Sequence, residues 1–335
     1  MNSSISISDT RAWRPVLRRY GAICLALAFV VVSFLIASDP YDTGVFGLFD
    51  GYGVPKYGQR LTDASLARRP AVEAAIIGNS TSQLIDPARL TTLTGLRFVS
   101  LAIPGTGPIE QLAVAHWLVR HHRGGDAKPL KVLVFGLDVS WCRGDGRLGL
   151  NNPFPFWLYS DSRLEYVAHL FSLKSFEAVG RKLKLMLGLD SPFRADGYRD
   201  YDEGEWDKSA AARQIAAGAG SFGTSGPGDF AAVGRLRDFL VEVPEGAAIV
   251  LLFVPRHQIT LPSPDSAAGR YWEKCKSEYR NLAAGLRRGI LIDLLVDHHL
   301  VREDQNFRDP NHYRQPVARM IENAIVESLR NAERD

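Results

Sequence analysis

The chain is poor in sulfur, with three cysteines and three methionines among 335 residues. Neither a Cys-x-x-Cys nor a His-x-x-x-His spacing occurs, so the sequence carries no sign of a metal site and no cofactor is expected. Three cysteines build no disulfide framework. Cys24 falls in an apolar run, leaving Cys142 and Cys275 as a pair that an oxidising compartment would permit. A Gly-x-Gly-x-x-Gly turn after a strand is missing, which argues against a dinucleotide-binding domain. Lys/Arg blocks interleaved with aromatics are missing too, and the net charge is only +3. No nucleic-acid partner is expected from such a surface. There is no internal repeat, and a hydrophobic content of 46% is enough for one large α/β core or two small ones.

What the chain does contain begins with an uncharged stretch, Gly21–Ser38 (GAICLALAFVVVSFLIAS). As a helix it just spans a hydrocarbon core. Arg11, Arg14, Arg18 and Arg19 precede it while Asp39 and Asp42 follow, so the positive-inside rule places residues 1–20 in the cytoplasm and the remainder across the membrane. A cleaved signal peptide is the competing reading, since Ile36-Ala37-Ser38 offers small residues near a cut, but the run is long and a retained anchor is favoured. Residues 39–70, rich in Gly, Asp and Tyr, read as a juxtamembrane connection without a strong regular element.

From residue 71 onward strand-like and helix-like patterns alternate. Apolar runs at Ala74–Gly78, Phe98–Ile103, Val132–Leu137, Ala248–Val254 and Ile290–Leu294 predict five strands. Helical spacing is found over Pro108–His122, Arg163–Leu187, Asp229–Val241, Ser266–Leu286 and Arg314–Ala332. Alternation of this kind predicts a flavodoxin-like three-layer α/β sandwich with a parallel sheet in the order 2-1-3-4-5. The stretch from about 141 to 229 is too long for a simple crossover, and predicts an insertion over the carboxyl edge of the sheet. Within it Lys174, Arg181, Lys182 and Lys184 form either a solvated helix face or a surface for anionic lipid heads.

The run Ala74–Gly78 stops abruptly at Asn79-Ser80-Thr81-Ser82, which sets a hydroxyl at the carboxyl end of the first strand, where open α/β sheets build their sites. Ser80 is the candidate nucleophile. A serine needs a base and an orienting acid, and Asp309-Pro310-Asn311-His312 supplies candidates for both, just ahead of the last helix. Ser82 is the alternative serine, expected instead to cap the following helix. Arg256 and His257 follow the fourth strand and are expected at the same rim as substrate contacts.

A strand ending in Gly-Asn-Ser near the start, with Asp-x-x-His near the finish, resembles the SGNH (GDSL-type) hydrolase and acyltransferase superfamily. That resemblance implies Ser80 as nucleophile, His312 as general base and Asp309 as its orienting acid. It further implies an oxyanion hole from the backbone N–H groups of Ser80 and Gly105, the latter in Ile103-Pro104-Gly105-Thr106-Gly107. Asn79 departs from the family's aspartate. Asp138 departs further, standing where the family has an asparagine that donates to the oxyanion. A carboxylate there would repel the oxyanion, so Asp138 is expected to anchor loops, leaving Ser140 or a backbone amide as the missing donor.

Among relatives of that group, one N-terminal span, an early serine and a late Asp-x-x-His resemble D-alanyl-lipoteichoic acid transfer proteins and polysaccharide O-acetylation accessory proteins. The similarity implies a serine esterase or O-acyltransferase in the bacterial inner membrane, facing the periplasm. It also implies action on acyl esters of an envelope glycan or lipid, with a polytopic membrane O-acyltransferase as partner. The alternative is a catalytically inactive binding or assembly protein of the same fold, favoured by Asp138.

Overall fold

In the computed structural model, residues 10–46, 58–144, 148–149, 153–191, 194–220, 229–332 and 334 are described. Five strands form one all-parallel sheet: β1 (Ala74–Gly78), β2 (Phe98–Ala102), β3 (Val132–Leu137), β4 (Ala248–Phe253) and β5 (Gly289–Asp293). Their order is β2-β1-β3-β4-β5, as the alternating pattern predicts. The first four strands are buried along their whole length, so both faces of the sheet need cover.

Alternate side chains serve the two layers. Ala75, Ile77, Val99, Leu101, Leu133 and Phe135 pack under α2 (Gln59–Ala67), α4 (Pro108–His121), α8 (Ala231–Leu240) and α9 (Ala267–Ala284). Ala74, Ile76, Val132, Val134 and Val250 face the opposite layer, made by α3 (Pro87–Thr94) and α10 (Gln315–Ala332). The order reverses beside β1, and Ser80 follows that strand directly.

An N-terminal helix, α1 (Thr10–Ser38), contains the stretch Trp13–Ser38, long and apolar enough to cross a membrane. The helix begins well before the uncharged run, so Arg14, Arg18 and Arg19 are helical. Its far end is packed rather than tethered. Leu35 is fully buried, and Asp39, Tyr41, Asp42 and Thr43 are buried just beyond it.

Residues 39–70 therefore depart from the expected irregular connection, in two ways. Helix α2 lies within them, and its polar residues Gln59, Thr62, Asp63 and Ser65 are buried. Composition suggested a loop because those polar groups find partners only after folding; Ser65 Oγ, for example, donates to Asp42 Oδ2 at 2.6 Å. Residues 47–57 of this stretch lie outside the described residues.

The insertion also differs from its expected form. One helix over Arg163–Leu187 becomes two, α5 (Arg163–Leu170) and α6 (Leu173–Met186), because Ser172 Oγ accepts from Ser175 N and starts a new helix. Lys182 does not face outward: it is 2% exposed, donates to the Asp39 carbonyl at 2.6 Å and lies 3.7 Å from Asp42. A further helix, α7 (Lys208–Ala217), follows, and the glycine-rich stretch 221–228 lies outside the described residues.

Cys142, just after β3, is bonded to Cys275 on α9 across 133 residues. Closing so long a loop restricts the unfolded chain, and replacing both cysteines by alanine is expected to cost about 2–5 kcal/mol in urea unfolding. An unchanged unfolding midpoint after replacement, or after reduction, would rule out that contribution.

Candidate active site

The β1 strand ends at Gly78, and the chain turns through Asn79 into a short 3₁₀ turn, Ser80–Ser82. The Asn79 side chain shapes this turn. Its Oδ1 accepts from Thr81 N at 3.1 Å and from Thr81 Oγ1 at 2.9 Å. Its Nδ2 donates to Asp138 Oδ2 at 2.5 Å, joining the end of β1 to the end of β3.

Asp138 is thereby occupied. Its Oδ1 accepts from Ser140 N at 3.0 Å and from Ser140 Oγ at 2.5 Å. Burial raises the Asp138 carboxyl pKa, while the donors from Ser140 and Asn79 and the nearby Arg256 charge pull it back. The carboxylate holds the serine-bearing turn. Ser140 departs from its expected place as an oxyanion donor, because its buried hydroxyl is already spent on Asp138.

At the other end of the chain, Asp309 and His312 lie in the short loop closed by an antiparallel bridge between Phe307 and Tyr313, just ahead of α10. His312 Nε2 is 2.9 Å from Ser80 Oγ, and His312 Nδ1 is 2.7 Å from Asp309 Oδ2. Asp309 Oδ1 accepts from the amides of Asn311 (2.8 Å) and His312 (3.0 Å). Burial alone would raise the Asp309 pKa, but the hydrogen bonds and charge from the His312 side chain and the two amide donors outweigh it and hold it below the usual value. An ionised carboxylate only accepts, so Nδ1 carries the proton and Nε2 is left to accept from Ser80 Oγ. The geometry is that of a serine–histidine–aspartate relay.

Ser80, His312, Gly105, Asn79, Asp138, Arg256 and Asn311 all line one cavity of about 190 Å³. Gly105 has φ +63°, a left-handed conformation that selects glycine whatever its chemical role. Its carbonyl and that of Pro104 accept from Arg60 Nη2 at 3.1 and 2.7 Å, so α2 braces this loop. Arg256 donates to Asn311 Oδ1, bringing a cation to the cavity wall. Burial lowers its pKa, and Asp138 and Asp309 counter that.

His257 and Ser82 are not where the sequence placed them, at the rim and at a helix cap respectively, whereas Arg256 is on the cavity wall as expected. His257 is 3% exposed and turned from the cavity, with Nε2 3.1 Å from Asp304 Oδ1 and its ring edge-on to Phe307. Its amide donates to the Pro310 carbonyl at 3.0 Å, so it supports the histidine loop from behind. Ser82 is fully buried and caps no helix; α3 begins five residues later, with Asp86 accepting from Ala88 N. A Cβ on Gly136 would meet Ser82 Oγ at 2.0 Å and one on Gly78 at 2.4 Å, so both glycines make room for that hydroxyl.

The insertion contributes a residue that no sequence signal marked. Tyr201 stands edge-on to His312 with centroids 5.5 Å apart, and its hydroxyl donates to the Tyr313 carbonyl at 2.8 Å. Next to it, Asp202 accepts from Arg314 Nε at 2.8 Å and pairs with Arg308 at 3.5 Å. The imidazole is thus fixed from the insertion side as well as by Asp309.

The chain matches no known protein-family model and no curated protein.

Truncating Asp138 to alanine strands the Asn79 amide and the Ser140 hydroxyl. A loss of about 1–3 kcal/mol in urea unfolding is expected; an unchanged stability would contradict the anchoring role. Because the native state depresses the Asp309 pKa, its stabilisation is complete above the unfolded carboxylate range and is lost as pH falls through the lower native value. The stability gap between wild type and Asp309→Asn is expected in full at pH 7 and closing below about pH 4. A gap independent of pH would speak against the Asp309–His312 pairing.

Proposed function

We propose that this protein is a serine esterase or O-acyltransferase of the SGNH type, anchored in the bacterial inner membrane by α1 with its α/β domain in the periplasm. The observation that carries this reading is the pair of separations along the relay, 2.9 Å from His312 to Ser80 and 2.7 Å from His312 to Asp309. Neither requires any movement for proton transfer.

In the proposed reaction, Ser80 Oγ attacks the carbonyl carbon of an acyl ester and its proton passes to His312 Nε2. The backbone N–H groups of Ser80 and Gly105 donate to the resulting oxyanion, with the Arg256 charge on the same cavity wall. Collapse expels the alcohol, which leaves with the proton from His312, and the acyl group stays on Ser80. Water or a second hydroxyl then attacks the acyl-serine, giving its proton to His312, and Ser80 recovers it on release. Whether water or a glycan or lipid hydroxyl accepts the acyl group sets hydrolysis apart from transfer, and the same residues serve both.

The cavity volume of about 190 Å³ favours a short acyl group. A larger cavity of about 630 Å³ adjoins it through Leu295, with Trp272, Glu273 and Lys276 on its wall, and offers room for the alcohol portion of an envelope glycan or lipid. A polytopic membrane O-acyltransferase fits this scheme as the donor of the acyl group.

Fluorophosphonate labelling is expected in wild type and in Ser82→Ala, and lost in Ser80→Ala. Hydrolysis of p-nitrophenyl acetate is expected to exceed that of the decanoate, and to fall by about 10⁴–10⁶-fold in Ser80→Ala and His312→Ala. A folded wild type that neither labels nor turns over would instead support a binding protein of the same fold.

A further inference from the structure

The contacts between α1 and α6 run in a definite sense. Tyr41 hydroxyl lies 3.3 Å from Ser175 Oγ, the Asp39 carbonyl accepts from Lys182 at 2.6 Å, and Phe34 and Ser38 share an apolar crevice of about 120 Å³ with Val179, Leu183 and Met186. Moving back along the chain from Tyr41, just past α1, to Phe34 within it therefore moves forward along α6 from 175 to 186. The two helices are antiparallel where they touch, and the carboxyl end of α6 points back along the apolar helix.

That end is apolar and uncovered. Leu183, Leu187 and Leu189 are 47%, 72% and 73% exposed, although the residues on the facing side of the same helix are packed. Gly188, at φ +70°, ends the helix, and the Leu189 amide returns to the Lys184 carbonyl at 2.8 Å. This closing turn sets Leu187 and Leu189 at the tip. Arg181 and Lys184 flank it, and Arg181 is held by Glu177 at 2.5 Å on the exposed surface.

The height of this tip follows from α1. With Arg18 and Arg19 in the headgroups on one side, the uncharged run from Gly21 reaches its limit at Ser38. Phe34 lies about 6 Å inside that limit at 1.5 Å per residue. The α6 residues beside Phe34 are at the same depth, and Leu187 and Leu189 follow them.

We infer that the carboxyl end of α6, through Leu183, Leu187 and Leu189, dips into the outer boundary of the lipid bilayer beside α1, so that the domain rests on the membrane in one orientation. The inference rests on the reading of α1 as a membrane span. The occupant is lipid rather than another protein because the uncovered leucines continue the surface of the apolar helix itself, at the depth where acyl chains meet headgroups. Arg181 and Lys184 are long enough to reach anionic headgroups from that level. With α1 joined rigidly to α6 through Asp39, Lys182 and Tyr41, the site would stand at a constant height above the bilayer.

The test uses the full chain in phosphatidylcholine–phosphatidylglycerol vesicles, with Cys24→Ser removing the one unpaired cysteine. A small environment-sensitive fluorophore is attached in turn at Leu187→Cys, Leu189→Cys, Phe29→Cys in α1 and Val241→Cys at the end of α8. All four side chains are at least half exposed, so folding is spared. Nitroxide-labelled lipid is expected to quench positions 29, 187 and 189 several-fold more than 241, and aqueous iodide to show the reverse. Lipid quenching at 29 with iodide quenching at 187 and 189 would overturn the inference while leaving the span intact. Iodide access at 29 would overturn both. Shielding of 187 and 189 from both quenchers would mean a second copy covers the face, and would overturn it too.

Discussion

The arrangement of the site depends on one hydrogen bond between the ends of two neighbouring strands, from the Asn79 amide to the Asp138 carboxylate. The bond ties the ends of two neighbouring strands into a single edge. Ser80 follows Asn79 directly, so the direction in which its hydroxyl points is set by a side chain that Asp138 holds in place. The carboxylate that fits poorly with an oxyanion role is better understood as this anchor. Its lone pairs are already engaged by Asn79 and Ser140, in a half-buried setting where unpaired donors would be costly.

The second constraint is the attachment of the insertion at two places. Its segment around Tyr201 and Asp202 clamps the histidine loop through Tyr313, Arg308 and Arg314. Its α5–α6 pair grips the end of α1, where Tyr166 donates to Asp39 at 2.7 Å and Lys182 reaches the same residue's carbonyl. A single crossover between β3 and β4 thus ties the candidate site to the apolar N-terminal helix. In the proposed acyl chemistry this gives a physical link between membrane attachment and the position of the imidazole.

Local patterns made much of the fold legible. The apolar runs at Ala74–Gly78 and Val132–Leu137 coincide with β1 and β3, and the order of the sheet followed from the alternation of strand and helix. Ser80 and His312 were also readable, because a hydroxyl directly after a buried strand and an Asp-x-x-His ahead of a final helix are short-range signals. Long-range polar partners were not readable. The buried polar residues of α2 resembled a loop, His257 resembled a rim histidine, and Ser82 resembled a cap, since each owes its position to groups remote in sequence or to space left by glycines.

By itself the sequence determined the strand set, the sheet order, the apolar N-terminal helix and the types of residue available for chemistry, because periodicity and strand ends are properties of neighbouring residues. Only the tertiary structure decided which donors Asp138 would satisfy and that Tyr201 would stand against the imidazole. It also decided that Lys182 would be buried and that Ser80 and His312 would meet across 232 positions. Those outcomes depend on which elements pack together and in what register, and a hydrogen bond between distant segments exists only once the sheet and its two layers have closed.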